Sequence, residues 1–279
     1  MLLLFSLMFP IPGTAQGTIG IKAMSFNVRY DNPDDGKQNW HHRKENIVGM
    51  VGFYDPDIIG MQEVLVHQRD YLKTHLKKYG VIGVGREDGK EKGEFSPIFY
   101  KKDRFELLMS NTFWLSETPN KVSIGWDAAL ERIVTWAKFK ERATGKVFFF
   151  MNTHFDHKGE LARLESSKLL KEKSMALASA LPLVITGDFN LVPTSKGIQL
   201  LTAPNGENTV VNSKDVAALT YGPDWTSCGF DHRPYKDRET IDYVFVRGVK
   251  AVKKHAVLAE TLEDIFLSDH CPVLVEIEL

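Results

Sequence analysis

Apolar runs that end on a single polar side chain recur along this 279-residue chain, and their spacing predicts the elements that carry them. Residues 19–30 are rich in apolar and β-branched side chains and predict a strand that delivers Asn27. Residues 42–54 place Ile47, Met50, Val51 and Tyr54 at helical spacing. Asp55-Pro56-Asp57 stops that helix, because a residue before proline is pushed out of the helical region. Residues 58–61 then form a short buried strand with Gln62 and Glu63 at its end, and residues 66–78 read as a second helix. This is the strand–helix alternation of an α/β chain.

The middle of the chain is β-rich. Residues 96–100, 105–110, 133–140 and 147–153 are strand-like runs between charged turns, and residues 161–181 give the longest helical pattern, closed by Pro182. A buried strand over residues 183–186 runs into Gly187-Asp188-Phe189-Asn190, and strands follow over residues 241–246, 249–257 and 272–277. Most of these runs are too apolar for a sheet with one solvent-washed face, so two packed sheets covered by helices are expected. With no linker, repeat or low-complexity tract, residues 16–279 read as a single domain.

Charge changes this picture little. Lys and Arg total 35 against 36 Asp and Glu, interspersed, for a net charge of −1. That argues against a protein that coats nucleic acid or anionic membrane through its overall field, but not against an enzyme that binds one phosphate. Residues 1–11 are apolar and lead into Pro12-Gly13-Thr14-Ala15, which reads as a signal peptide over residues 1–15 with Gly13 and Ala15 before the cleavage point. No Lys or Arg precedes the run, and an N-terminus docked on the core is the other reading. The run is too short to span a bilayer. The expectation is export to the periplasm or the exterior, without an anchor, as a monomer. Cys228 and Cys271 make no disulfide framework, although a single bridge between them stays open.

Candidate chemistry lies at the strand ends. Asn27, Glu63, His154, Asp188, Asn190, Asp242, Asp269 and His270 all fall just beyond or just before an apolar run. Desolvating an unpaired carboxylate is expensive, whereas strand ends converge on one rim, the usual place for α/β active sites. Carboxylates gathered there would repel one another unless a cation neutralised them. The donor set suits a hard divalent ion, Mg2+ or alternatively Mn2+. Taken singly, each residue has a blander reading: Glu63 as a solvated strand end, Asn27 as a turn former, His154 and His157 as loop surface, Asp269 as a cap. Asp242 is harder to set aside, since it interrupts the buried run of residues 241–246 and needs a partner.

Taken in order, Ser25-Phe26-Asn27-Val28-Arg29, Ile59-Gly60-Met61-Gln62-Glu63-Val64, Asn152-Thr153-His154, Gly187-Asp188-Phe189-Asn190, Ile241-Asp242-Tyr243-Val244 and Ser268-Asp269-His270-Cys271-Pro272-Val273 resemble the motifs of the endonuclease/exonuclease/phosphatase superfamily. The resemblance covers residues 21–279. It implies a four-layer α/β sandwich of two mixed sheets packed face to face, with helices outside. It implies Glu63 as principal metal ligand, aided by Asn27 and with Asp269 contributing. Asp242 would orient His270, Asp188 and Asn190 would position the attacking water or the phosphate, and His154 would donate to a phosphate oxygen. Arg132 would brace the rim, and Tyr100 would lie near the phosphate. Asn152-Thr153-His154 is closer to the DNase, deadenylase, sphingomyelinase and inositol polyphosphate phosphatase branches than to the AP endonucleases.

The function so implied is Mg2+-dependent hydrolysis of a phosphate ester, first as a phosphodiesterase or nuclease. A phosphatase or a sphingomyelinase-like enzyme is the alternative, and a non-catalytic binding module the remote one. Substrate choice would sit in loops over residues 31–42, with Trp40, and 222–238, with Arg233. Their aromatic and basic side chains could stack a base and hold phosphates of a nucleotide or nucleic acid, or be ordinary solvated loop residues.

Overall fold

The computed structural model describes residues 18–279; the expected leader over residues 1–15 lies outside the described residues. In chain order, β1 (Gly20–Asn27), α1 (Trp40–Tyr54), β2 (Ile58–Gln62), α2 (Val66–His75), β3 (Tyr79–Ile82) and β4 (Ile98–Lys101) form the first part. Next come β5 (Phe105–Trp114), β6 (Ile133–Glu141), β7 (Val147–His154), α3 (Glu160–Ala178), β8 (Leu183–Asp188) and α4 (Lys196–Thr202). The last part holds β9 (Val211–Asn212), α5 (Ser213–Val216), β10 (Ala217–Tyr221), β11 (Asp242–Arg247), β12 (Ala251–Val257), β13 (Thr261–Leu262), β14 (Ile265–Phe266) and β15 (Val273–Glu278).

These strands make a seven-stranded sheet, β10-β12-β15-β1-β2-β4-β3, and a six-stranded sheet, β5-β6-β7-β8-β11-β9, with β13-β14 as a separate hairpin. Both large sheets are mixed: β1 runs parallel to β2 and antiparallel to β15, and β7 runs parallel to β8, which is antiparallel to β11. Three apolar clusters set the layers. Ile21, Ala23 and Ile58 of the first sheet meet Phe148, Phe150, Val184 and Val244 of the second between the sheets. Met24, Phe26, Ile59 and Met61 pack outward against Ile47, Met50, Val51 of α1 and Leu72 of α2. Phe149, Met151, Ile185 and Phe245 pack against Leu170 of α3 and Leu201 of α4. The result is the four-layer sandwich expected from the strands' apolarity on both faces. Among the described residues, no helix is long and apolar enough to cross a membrane.

Element ends differ from the sequence reading where local chemistry overrides periodicity. The first strand stops at Asn27 because Arg29 adopts a left-handed φ of 58° and turns the chain. Helix α1 starts at Trp40, two positions early, since the Asn39 side chain caps it by accepting from the His41 N–H at 3.1 Å. Helix α2 ends at His75, three residues before the helical pattern does, and Tyr79–Ile82 form a strand, β3, that the sequence reading does not place.

Candidate active site

Side chains alternate across a strand, so every second residue of the inner strands faces the gap between the sheets. Along β1 those residues run Ile21, Ala23, Ser25, Asn27; along β7 they run Phe148, Phe150, Asn152, His154; along β8 they run Val184, Thr186, Asp188. Each series starts apolar and turns polar toward the same end. β11 runs the other way and enters the sheet at Asp242, directly opposite Asp188. The gap thus has an apolar floor and a polar mouth. Just below the mouth the sheets are joined by buried hydrogen bonds. Gln62 Nε2 donates to Asn152 Oδ1 at 2.6 Å, Thr186 Oγ1 donates to the same oxygen at 3.0 Å, and Asn152 Nδ2 donates to the Met61 carbonyl at 2.6 Å. Gly60 permits this approach: a Cβ there would sit 2.0 Å from Thr186 Oγ1.

At the mouth, Asp188 is the hub. Its Oδ2 accepts from Asn27 Nδ2 at 2.9 Å and lies 3.5 Å from His154 Nε2 and 3.8 Å from His270 Nδ1. Its Oδ1 accepts from the Asn190 backbone N–H at 2.9 Å. Asn27 Nδ2 also donates to Glu63 Oε1 at 2.9 Å, while Glu63 Oε2 accepts from the Tyr30 N–H at 3.1 Å. His270 Nδ1 meets Asp242 Oδ2 at 2.8 Å, and Thr226 Oγ1 donates to that same oxygen at 2.6 Å. Asn190 Nδ2 donates to His154 Nε2 at 3.3 Å and to the Phe155 carbonyl at 3.0 Å, which assigns the ring proton of a neutral His154 to Nδ1. Asp269 lies 3.7 Å from Arg29 Nη1, and Arg29 is held in turn by both oxygens of Asp35 at 3.0 Å. Arg29, Glu63 and Asn190 all have left-handed φ values, of 58°, 60° and 49°. Strained backbone of this kind concentrates at functional sites.

Burial and charge pull the titrating groups apart. Burial first, then the neighbouring Asp242 carboxylate, pushes the Asp188 carboxyl up to about 7, against the pull of His270. Burial opposes the charge on His270, but Asp242 and Asp188 outweigh it and hold its pKa well above the usual histidine range. His154 goes the other way: burial, then Arg132 and Arg86, hold it well below, so it is neutral. A raised acid beside a raised base is a coupled pair that titrates together.

The structure therefore brings Asn27, Glu63, His154, Asp188, Asn190, Asp242 and His270 to one mouth, with Asp269 beside them through Arg29. Two expectations are corrected. Tyr100 is opposite Ile58, four residues before Gln62 on β2 and so about 13 Å along the strand from the mouth; its ring packs on Phe139, 4.9 Å between centroids. Trp40 is not on a loop but buried in α1, edge-on to Tyr71. Arg132 is buried, with Nε donating to Asp156 Oδ2 at 3.2 Å and Nη2 to His157 Nδ1 at 2.9 Å, and so ties the start of β6 to the loop after β7. Arg233 lies on the loop whose Cys228 and Gly229 N–H groups donate to the Asp269 carbonyl, and its own guanidinium lies 3.7 Å from Glu239. Sequence reasoning missed Arg29, Thr226 and the ion pair of Arg86 with Glu94. Arg29 stands inside one of the motifs, whereas Thr226, within Asp224-Trp225-Thr226-Ser227, carries no signal in the sequence.

The donor chemistry fits a divalent ion. Among the described residues, Glu63, His154 and Asp188 have ligand atoms all within 4.8 Å of one another, and so do Asp188, Asp242 and His270. Asp242 Oδ1 is buried with no hydrogen-bond partner. Oxygen-rich donors with a like-charge conflict are what a hard cation relieves.

Residues 24–270 match the family model described as endonuclease/exonuclease/phosphatase family. A Bacteroides vulgatus protein of that description is 44% identical and superposes with a TM-score of 0.90, over 94% of this chain and 99% of the other. A mannosyl-6-phosphatase from Bacteroides thetaiotaomicron is 38% identical, with a TM-score of 0.86, over 92% of this chain and 99% of that one. Protein angel of Drosophila melanogaster is 24% identical over 67% of this chain and 57% of its own length. The chain spans less than two thirds of such curated relatives, 59% in the case of a mimivirus protein.

Proposed function

The chain belongs to the endonuclease/exonuclease/phosphatase family, and from that membership and the geometry of the mouth we propose that it hydrolyses phosphate esters with the help of Mg2+. One observation carries the reading: Asp188 lies within 4 Å of Asn27, His154 and His270 at once, in a buried setting that also holds Glu63 and Asp242. Glu63, with Asn27 and Asp269 around it, would hold the ion. When bound, the ion supplies charge neutralisation at a phosphoryl oxygen and at the leaving oxygen.

The remaining steps belong to this chain's own groups. Asn27 and Asn190 fix the Asp188 carboxylate from two sides, so its lone pairs have set directions. Asp188 is placed to take the proton from the attacking water, and His270, kept protonated by the Asp242 and Asp188 carboxylates, stabilises the charge beside it. Asp242 holds Nδ1 of His270, which leaves Nε2 as the ring nitrogen available to the reaction. Neutral His154 offers Nδ1–H as a donor to a phosphate or leaving-group oxygen. Acid–base help of this kind is worth roughly 10²–10⁴-fold.

Within this class we favour a phosphomonoesterase, on the strength of the 38% identical mannosyl-6-phosphatase that matches nearly end to end. A phosphodiesterase or nuclease is the second reading, supported by the motif resemblance and by an exoribonuclease subunit of Yarrowia lipolytica that is 26% identical over 69% of this chain. The test is a panel of p-nitrophenyl phosphate, bis-p-nitrophenyl phosphate, hexose 6-phosphates, DNA and poly(A), run with EDTA and then with Mg2+. Hydrolysis of at least one ester, abolished by EDTA and restored by Mg2+, is expected. Activity untouched by EDTA would sink the reading.

A further inference from the structure

We propose that the Arg86–Glu94 ion pair, with His154 and Arg132, forms a subsite for the alcohol part of the substrate, built for a polyhydroxy alcohol such as a sugar. The proposal rests on the phosphate-ester reading above and names its substrate class. The pair sits on a hairpin between β3 and β4. Arg86 N donates to the Glu94 carbonyl at 3.1 Å and Gly85 N to the Lys90 carbonyl at 2.9 Å. Phe95 and Val64 exchange backbone hydrogen bonds of 2.7 and 3.3 Å. Because Val64 follows Glu63, this strap sets the hairpin's inner lip against the catalytic mouth. Glu94 Oε2 lies 3.9 Å from His154 Nδ1, on the opposite side of the imidazole from Asp188. A substrate with its phosphate among Glu63, His154 and Asp188 therefore extends toward Glu94.

Around Glu94 the donors outnumber the acceptors. Arg86 Nη1 and Nη2 donate to its two oxygens at 2.8 and 3.0 Å. Arg86 Nε, Arg132 Nη1 and His154 Nδ1 are buried and have no partner. Their side chains are only 8%, 4% and 9% exposed, while Glu94 keeps 17%. A buried N–H without an acceptor costs about 1–3 kcal/mol, and these three, on Glu94's own partner Arg86, on His154 3.9 Å from Glu94 and on the neighbouring Arg132, leave the hydrogen-bonding set incomplete. With His154 Nδ1–H given to the ester oxygen, a hydroxyl completes the rest from both ends: its oxygen accepts from an arginine N–H and its proton goes to Glu94.

Charge decides between a hydroxyl and a second phosphate. The formal charges of Arg86 and Arg132 are cancelled by Glu94 and Asp156. A nucleic-acid strand brings further phosphodiesters and is met by unbalanced cations. This neutral, donor-rich corner offers none, and it is matched to uncharged hydroxyls.

The experiment compares kcat/KM on mannose 6-phosphate and glucose 6-phosphate with that on p-nitrophenyl phosphate, whose alcohol has no further hydroxyl. Wild type is expected to favour at least one hexose phosphate. Glu94→Gln and, as a variant that keeps the charge on the arginine side, Arg86→Lys are each expected to lose at least tenfold more on that hexose phosphate than on p-nitrophenyl phosphate, mainly through KM. An equal loss on both esters, or a thermal midpoint that falls in step with activity in both variants, would mean a structural pair and overturn the proposal. A wild type active on p-nitrophenyl phosphate but indifferent to hexose phosphates would overturn it alone. A wild type inactive on every phosphate ester would take the underlying reading with it.

Discussion

Asp242→Asn removes one charge from the mouth and leaves its geometry in place. Asp242 Oδ2 accepts from both His270 Nδ1 and Thr226 Oγ1, at 2.8 and 2.6 Å, while Oδ1 has no partner. An asparagine can put its carbonyl oxygen at the doubly accepting position and its amide where nothing is bonded, so the imidazole keeps its tautomer. The Thr226 hydroxyl proton stays committed too, because the Ile241 and Asp242 N–H groups donate to Thr226 Oγ1 at 3.1 and 3.0 Å. What changes is electrostatic. Unit charges about 4 Å apart at an effective dielectric constant of about 20 interact by about 4 kcal/mol, equivalent to about three pH units. The proton affinity of His270 drops by up to that amount. Asp188 loses a like-charged neighbour and drops as well, so both members of the coupled pair become weaker bases. The expected outcome is a kcat lower by about 10²–10³-fold at pH 7, in line with a lost acid–base contribution. The acid limb of the kcat–pH profile should also move to lower pH. The assay is kcat against pH on the best substrate of the panel at saturating Mg2+, with thermal midpoints as a control for folding. A variant within threefold of wild type, or one whose acid limb stays in place, would refute the electrostatic role given to Asp242.

Gly60→Ala places a methyl 2.0 Å from Thr186 Oγ1 and 2.4 Å from Asn152 Oδ1, so the two sheets must separate at the floor of the mouth. Overpacking of this kind costs about 3 kcal/mol or more, read as a lower urea midpoint, and a change under about 0.5 kcal/mol would contradict the close-approach argument. Asp188→Asn tests linkage in the metal-free protein. A carboxyl raised to about 7 keeps its proton in the fold after the unfolded chain has lost it, so wild type loses stability as pH climbs from about 4 through about 7, by at most about 4 kcal/mol. The variant's stability relative to wild type should therefore rise between pH 5 and pH 8 in EDTA, and Mg2+ should shrink the difference at pH 8. A difference independent of pH would count against the raised Asp188.

Which parts of the site were legible in sequence follows from how strands carry information. A strand buried on both faces is an apolar run, so a polar residue at its end stands out, and Asn27, Glu63, His154, Asp188 and Asp242 were each flagged that way. Their convergence needed only that β1, β2, β7 and β8 end on the same side of the sandwich, which the parallel pairs β1–β2 and β7–β8 set within each sheet and the Asn27–Asp188 hydrogen bond joins between them. Tyr100 failed because its distance from the mouth depends on antiparallel register: pairing with Ile58 sends it to the far end of β2, and no local pattern encodes that choice. Trp40 failed because a run of polar and aromatic residues reads as a loop unless Asn39 is recognised as a cap, which buries the indole. Arg86 and Glu94 were invisible for a different reason. The stretch from Gly85 to Glu94 is glycine and charge, which in isolation describes a solvated turn. Only the strap between Phe95 and Val64 turns its two inner residues toward Glu63. Residues that hold the reacting phosphate are thus tied to the strands and readable from them. Residues that meet the rest of the substrate sit on a hairpin whose direction is fixed by one long-range pairing, and this is where sequence gives least warning of specificity.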